Sequence, residues 1–268
     1  MARAMAHGRT PVTKFEDPTA ISLLPEDARE KVERARSGQS GSLFAGPEQA
    51  IAEARAGMMV ARTVEIDDAL RARKHDQVVI LGAGLDGRAW RMKELADAIV
   101  FEVDHPDTQR EKRARVGVLA QAAREVRFVP VDFTRDSLEE ALERAGHDAS
   151  RPTTWVWEGV VMYLTEEEVR STLAVVAKRS APGSRIVIAY LTRSNMLHRV
   201  VAIFVRSMGE PFRSAFTPDA MRALLAEHDF AAVRDENIPT IASGLSSELG
   251  HLTRHVDHLR IVTADKRT

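Results

Sequence analysis

One stretch limits the folds open to this chain more than any other: Gln77 to Gly87, which reads Gln-Val-Val-Ile-Leu-Gly-Ala-Gly-Leu-Asp-Gly. Val78, Val79, Ile80 and Leu81 form an unbroken aliphatic run, too short for a helix and too uniformly apolar for a strand with one wet face. Such a strand belongs inside a parallel sheet. Gly82, Gly84 and Gly87 follow at the Gly-x-Gly-x-x-Gly spacing, where missing side chains let the backbone turn tightly and approach a ligand.

From Gln77 onward strand and helix patterns alternate, the sign of a doubly wound α/β sheet. Strands are expected at 78–81, 98–104, 126–131, 153–157 and 185–190, with helices near 88–97, 107–122, 137–145 and 166–180. Thr165 and Glu168 form a capping box for the last of these helices. The stretch 195–216 is irregular, and Thr217-Pro218-Asp219 opens a further helix. Two final strands, 230–237 and 255–263, read without a helix between them and predict an antiparallel edge. The expected fold is therefore a seven-stranded, mostly parallel, Rossmann-like sheet.

Ahead of the sheet, residues 1–20 lack periodicity and read as a mobile tail. Helices are expected at 25–36 and from Pro47 to about Lys74, the second interrupted at Gly57. This divides the chain into a tail and helical cap, 1–74, and a ligand-binding domain, 75–268. A formal net charge of -1 gives no pull toward nucleic acid or anionic lipid, so a small-molecule partner is expected. There is no apolar run of membrane-spanning length and no signal-peptide core, and without cysteine there are no disulfides or thiolate metal sites. A cytoplasmic location is expected.

Asp104 ends the second strand, where a carboxylate accepts hydrogen bonds from ribose hydroxyls. That chemistry fits a nicotinamide dinucleotide and S-adenosylmethionine alike. A short-chain dehydrogenase would add Tyr-x-x-x-Lys, but Glu167 follows Tyr163 at that offset and Ser194 follows Tyr190. At the end of the third strand, Asp132 and Phe133 place an acceptor and an aromatic face where an adenine would lie. Glu158 stands where an apolar strand meets a turn, and an acid there needs a cation such as the α-ammonium of a methionine moiety. Glu102 alternates with Asp104 and either shares the site or pairs with a nearby arginine. His251, His255 and His258 lack the paired carboxylates of a metal site, and no metal is expected.

Taken in order, these motifs resemble the leucine carboxyl methyltransferase family, including its bacterial small-molecule O-methyltransferases. The resemblance runs over roughly 58–240. It rests on Ala61-Arg62-Thr63-x-x-Ile66-Asp67, Leu81-Gly82-Ala83-Gly84-Leu85-Asp86 with Trp90-Arg91, and Phe101-Glu102-Val103-Asp104-x-Pro106. Asp132-Phe133, Glu158-Gly159-Val160-x-x-Tyr163-Leu164 and Gly209-Glu210-Pro211-Phe212 complete it.

The resemblance implies S-adenosylmethionine as cofactor. In it Arg62 holds the cofactor's carboxylate, and Gly82 and Gly84 pass its methionine portion. Asp104 takes the ribose, Asp132 and Phe133 frame the adenine, and Glu158 meets the amino group. The implied reaction is methyl transfer to an oxygen, with the carboxylate of a small acid as the expected acceptor. A carboxylate is ionised at neutral pH and needs alignment rather than a general base. Tyr163, Arg193 and His198 are the residues expected to hold it. A phenol or alcohol acceptor would need a base such as His198 or His105. A nicotinamide-dependent oxidoreductase is the remaining alternative.

Overall fold

The computed structural model describes residues 1–37, 47–133, 135–192 and 212–267. Helices α1 (Ala2–Ala6), α2 (Glu26–Arg36) and α3 (Pro47–Arg71) precede strand β1 (Gln77–Leu81). Then come α4 (Arg88–Arg91), β2 (Ile99–Asp104), α5 (Pro106–Val116), β3 (Glu125–Pro130), α6 (Leu138–Arg144), β4 (Thr154–Trp157), α7 (Glu166–Lys178) and β5 (Arg185–Leu191). The chain closes with α8 (Pro218–Glu227), β6 (Phe230–Asn237), α9 (Ile238–Leu245), α10 (Ser247–Thr253) and β7 (Leu259–Lys266).

The seven strands form one sheet in the order β3-β2-β1-β4-β5-β7-β6. β1 pairs in parallel with β2 and β4, and β7 runs antiparallel to both β5 and β6. Alternate residues feed opposite faces, as the two-residue period of a strand demands. Val78 and Ile80 join a core with α3, α4, α9 and α10; Val79 and Leu81 join one with α6, α7 and α8. β1 is buried on both sides, which its uniform apolar run requires.

The structure revises four local readings. Residues 1–20 are no tail: Val12 and Phe15 are buried in the first core with Leu23, and Asp17 is buried beside them. Their apolar positions are too scattered to show a period, yet they cover a face of the sheet. α3 continues through Gly57, where a methyl group would press on Thr253 and Leu249 of α10 at 3.1 and 3.2 Å, so that glycine permits close helix packing. The helix expected over 88–97 is a single turn followed by a 3-10 turn at Lys93–Leu95. Finally, α9 and α10 intervene between the last two strands, and β7 starts at Leu259. The antiparallel pairing is as expected, but β7 lies inside the sheet and β6 forms its edge.

Candidate functional site

The glycine turn after β1 is held by its neighbour. The N–H groups of Gly82 and Ala83 both donate to Val103 O, at 2.8 and 3.0 Å. Gly82 and Gly84 have φ of +67° and +46°, the left-handed region, and a Cβ on Gly82 would run into Val160 Cγ2. Gly84 N–H donates to Asp104 Oδ2 at 2.5 Å, and His105 N–H donates to Oδ1 at 2.7 Å. The end of β2 and the turn therefore form one unit. Val131 N–H donates to Asp104 O at 2.9 Å, which brings the exit of β3, and with it Asp132 and Phe133, alongside.

Arg62 comes from α3 and Glu158 from the residue after β4, and the fold brings them together. Arg62 Nε lies 2.7 Å from Glu158 Oε1, while Arg88 Nη1 lies 2.7 Å from Glu158 Oε2. Arg62 and Glu158 face a cavity of about 210 Å³ at the carboxyl edge of the sheet, whose lining includes Arg3, Met59, Gly82 and Gly84. Burial alone would push the Glu158 carboxyl up, but the guanidinium groups of Arg62 and Arg88 outweigh it and hold the acid well below the usual range.

Behind the cavity lies a network of buried charges. Arg88 is fully buried, with Nε 2.8 Å from Asp67 Oδ1 and Nη1 against Asp86. Arg88 N–H also donates to Asp86 Oδ1 at 2.8 Å. Arg91 grips Asp67 with two N–H groups, at 2.7 and 3.0 Å. Alternating signs stabilise charges that would be prohibitively costly singly. Arg3 of α1 closes the near side by donating to Leu85 O at 2.7 Å.

The other expected residues are more dispersed. Asp132 and Phe133 do not line the cavity; Phe133 is 47% exposed and Asp132 lies 3.6 Å from Arg135 Nε. Tyr163 sits in the 3-10 turn Val161–Tyr163 with its ring 5.8 Å from that of Phe212. His105 is half exposed and caps α5 by accepting from Asp107 N–H at 3.3 Å. Arg193 and His198 lie outside the described residues, as do Gly209, Glu210 and Pro211. Glu102 pairs with a lysine rather than an arginine: Lys112 Nζ is 2.6 Å from Oε2, both side chains fully buried. Desolvation lifts Glu102 to about 7 in spite of Lys112. Among the described residues no group of three His, Asp or Glu could hold a metal ion.

Sequence reasoning missed Arg3 and Arg88. Arg3 stood in a segment without periodicity, and Arg88 carries no spacing signal of its own. The one available hint was two charges of opposite sign, Asp86 and Arg88, flanking Gly87 next to a fully apolar strand.

The family described as leucine carboxyl methyltransferase matches residues 1–177. This chain belongs to the leucine carboxyl methyltransferase family. Among curated family relatives, a Parafrankia protein provisionally named an S-adenosyl-L-methionine-dependent methyltransferase is 38% identical over 171 residues, 62% of this chain and 50% of that protein. A protein of Mycolicibacterium paratuberculosis with the same provisional name is 33% identical over 194 residues, 70% of this chain and 63% of its own. The chain thus spans less than two thirds of these relatives' lengths.

Solved structures share the α/β methyltransferase fold. A protein of Thermobifida fusca, provisionally described as a methyltransferase, covers 100% of this chain and 95% of its own at 18% identity with a TM-score of 0.57. The 1,6-didemethyltoxoflavin-N1-methyltransferase of Burkholderia thailandensis, solved with bound 1,6-didemethyltoxoflavin and S-adenosylhomocysteine, covers 89% of this chain and 90% of its own at 18% identity and a TM-score of 0.51.

Proposed function

We propose that this protein is an S-adenosylmethionine-dependent O-methyltransferase that esterifies the carboxylate of a small acid. The observation that carries the cofactor assignment is the Arg62–Glu158 pair, 2.7 Å apart and facing one cavity beside Gly82 and Gly84. An amino-acid zwitterion has the complementary pair of charges. Its carboxylate suits the fork of Arg62 and its ammonium suits Glu158, so one internal ion pair is exchanged for two external ones without baring a charge. A ribose hydroxyl would take lone pairs of Asp104 not used by the turn, and Phe133 offers an exposed ring face near Asp132 for an adenine. Relatives named for S-adenosylmethionine support this reading, as does a fold neighbour solved with S-adenosylhomocysteine. The family match disfavours the nicotinamide alternative.

Bound S-adenosylmethionine supplies a methyl group on a sulfonium, which an acceptor oxygen attacks in line. The chain's task is then to align two reactants and exclude water. A carboxylate acceptor arrives ionised, which agrees with a cavity whose described charged side chains each have a partner: Arg62 with Glu158, Glu158 and Asp86 with Arg88, and Arg3 with Leu85 O and Asp17. Tyr163, five residues after Glu158 in the chain and with its ring 5.8 Å from that of Phe212, would pack the acceptor's apolar body.

Calorimetry with S-adenosylhomocysteine tests the cofactor assignment. Arg62→Ala and Asp104→Ala are each expected to weaken binding by about 1.5 to 3 kcal/mol, the range for hydrogen bonds to charged groups. Unchanged affinity in both folded variants would remove these residues from the site. For the acceptor, mass spectrometry over a panel of carboxylic acids and phenols should find products heavier by one methyl group and cleaved by mild alkali. An alkali-stable ether would replace the carboxyl reading with the phenol one.

A further inference from the structure

Arg88 is the least exposed charged group near the cavity and is absent from its lining, so it acts on a ligand only through another residue. It meets acids on three separate pieces of chain: Asp67 on α3, Asp86 in the glycine turn and Glu158 after β4. We infer that Arg88 is a positioning residue for cofactor binding. It keeps hold of Glu158 Oε2, and leaves Oε1 aimed into the cavity, when a ligand draws Arg62 away.

This inference rests on the reading that Glu158 meets the ligand's ammonium. Without a ligand Glu158 has two cationic partners, one on each oxygen. A ligand carboxylate competes for Arg62, and the acid then depends on what lies behind it. The charged groups that act on Glu158 are Arg62 from α3, Arg88 from α4, Arg3 from α1 and the opposing carboxylate Asp86. Of the three cations, only Arg88 is sealed from the cavity, so only Arg88 is beyond the ligand's reach. Its anchors also fix the geometry: Asp67 lies on the helix that carries Arg62, and Arg91 clamps Asp67 from the other side. If Arg88 were lost, Glu158 would keep one cation fewer and its buried carboxyl would be easier to protonate as pH falls. A neutral acid no longer offers the ammonium a charge.

The test compares two ligands on the full chain by calorimetry from about pH 5.5 to 8: S-adenosylhomocysteine, and 5′-methylthioadenosine, which lacks the amino-acid end. Arg88→Met is expected to weaken S-adenosylhomocysteine about tenfold or more at neutral pH and further as pH falls, with 5′-methylthioadenosine unchanged within about twofold. Arg88→Lys should restore part of the loss. Should Arg88→Met fail to fold, Asp67→Asn loosens Arg88 without touching the cavity and should weaken S-adenosylhomocysteine selectively in the same way. Equal losses on both ligands at every pH would reduce Arg88 to a structural residue and overturn the inference, as would no loss on either. Glu158→Gln separates the two ideas. If it spares the preference for S-adenosylhomocysteine, the ammonium reading itself fails; if it abolishes that preference while the Arg88 variants keep it, only the role of Arg88 falls.

Discussion

Glu158 shows how one side chain is set by its surroundings: burial at an apolar strand end favours the neutral acid, and two guanidinium groups outweigh it and favour the anion. His147 is set the opposite way. Arg179 Nε donates to its Nδ1 at 3.3 Å, so the ring proton sits on Nε2 and donates to Thr153 Oγ1 at 3.0 Å. Burial, aided by the charge of Arg179, lowers His147 to about 4 from an ordinary 6.5. Because the unfolded chain takes up this proton first, stability present above pH 6.5 is lost as pH falls toward 4, by about 2 to 3 kcal/mol. Urea titrations at several pH values should show that slope in the parent protein and a shallower one in His147→Gln. A second expectation concerns Gly82→Ala, which combines a positive φ with a collision against Val160. It should cost about 1 to 3 kcal/mol of stability and weaken S-adenosylhomocysteine, read by thermal melts and calorimetry. Asp104 and Glu158 were legible in the sequence because each stands where a strand ends; Arg62 lies within α3 and was reached only through the family motif Ala61-Arg62-Thr63. Arg88 and Lys112 were not legible: Asp67 and Glu158 reach Arg88 only through the fold, and Lys112 meets Glu102 across the turn from β2 into α5.

Among the elements, those with local signals were the ones the sequence disclosed. α7 starts where Thr165 and Glu168 predict, with the two reciprocal capping bonds at 2.6 and 3.2 Å. Thr165→Ala should therefore lower the unfolding free energy by about 1 kcal/mol, seen as a shift of the urea midpoint at unchanged slope. α9 escaped notice although Asn237 caps it and Pro239 sits in its first turn. The run of β6 leads directly into that cap, and Ile238 and Ile241 are too few to set a helical period against it. α10 lies in the stretch between the two final strands, where no helix was expected. Both helices pack on α3, so Gly57→Leu should pry α10 off that surface. The expected result is faster amide exchange in 247–253 with the β1 amides unaffected.

At the scale of the molecule, the two cores differ in how they are assembled. The one containing α6, α7 and α8 is built from residues near in sequence to the strands they cover. The other draws Val12, Phe15 and Leu23 from the far amino-terminal segment. Removing residues 1–24 should therefore bare part of the sheet and lower the melting temperature. Each fully buried side chain of this kind contributes about 1.5 to 3 kcal/mol, and dye binding would report the exposed apolar surface. β7 has a consequence for synthesis. It follows the other six strands of this sheet in the chain, yet it lies between β5 and β6, so the β5 edge lacks its partner until Leu259 to Asp265 have been added. At about 5–20 residues per second a nascent chain carries that open edge for several seconds. During that interval a ribosome-bound chain offers a ready template for pairing with another strand, and holding this edge apart is the step at which a chaperone would matter most.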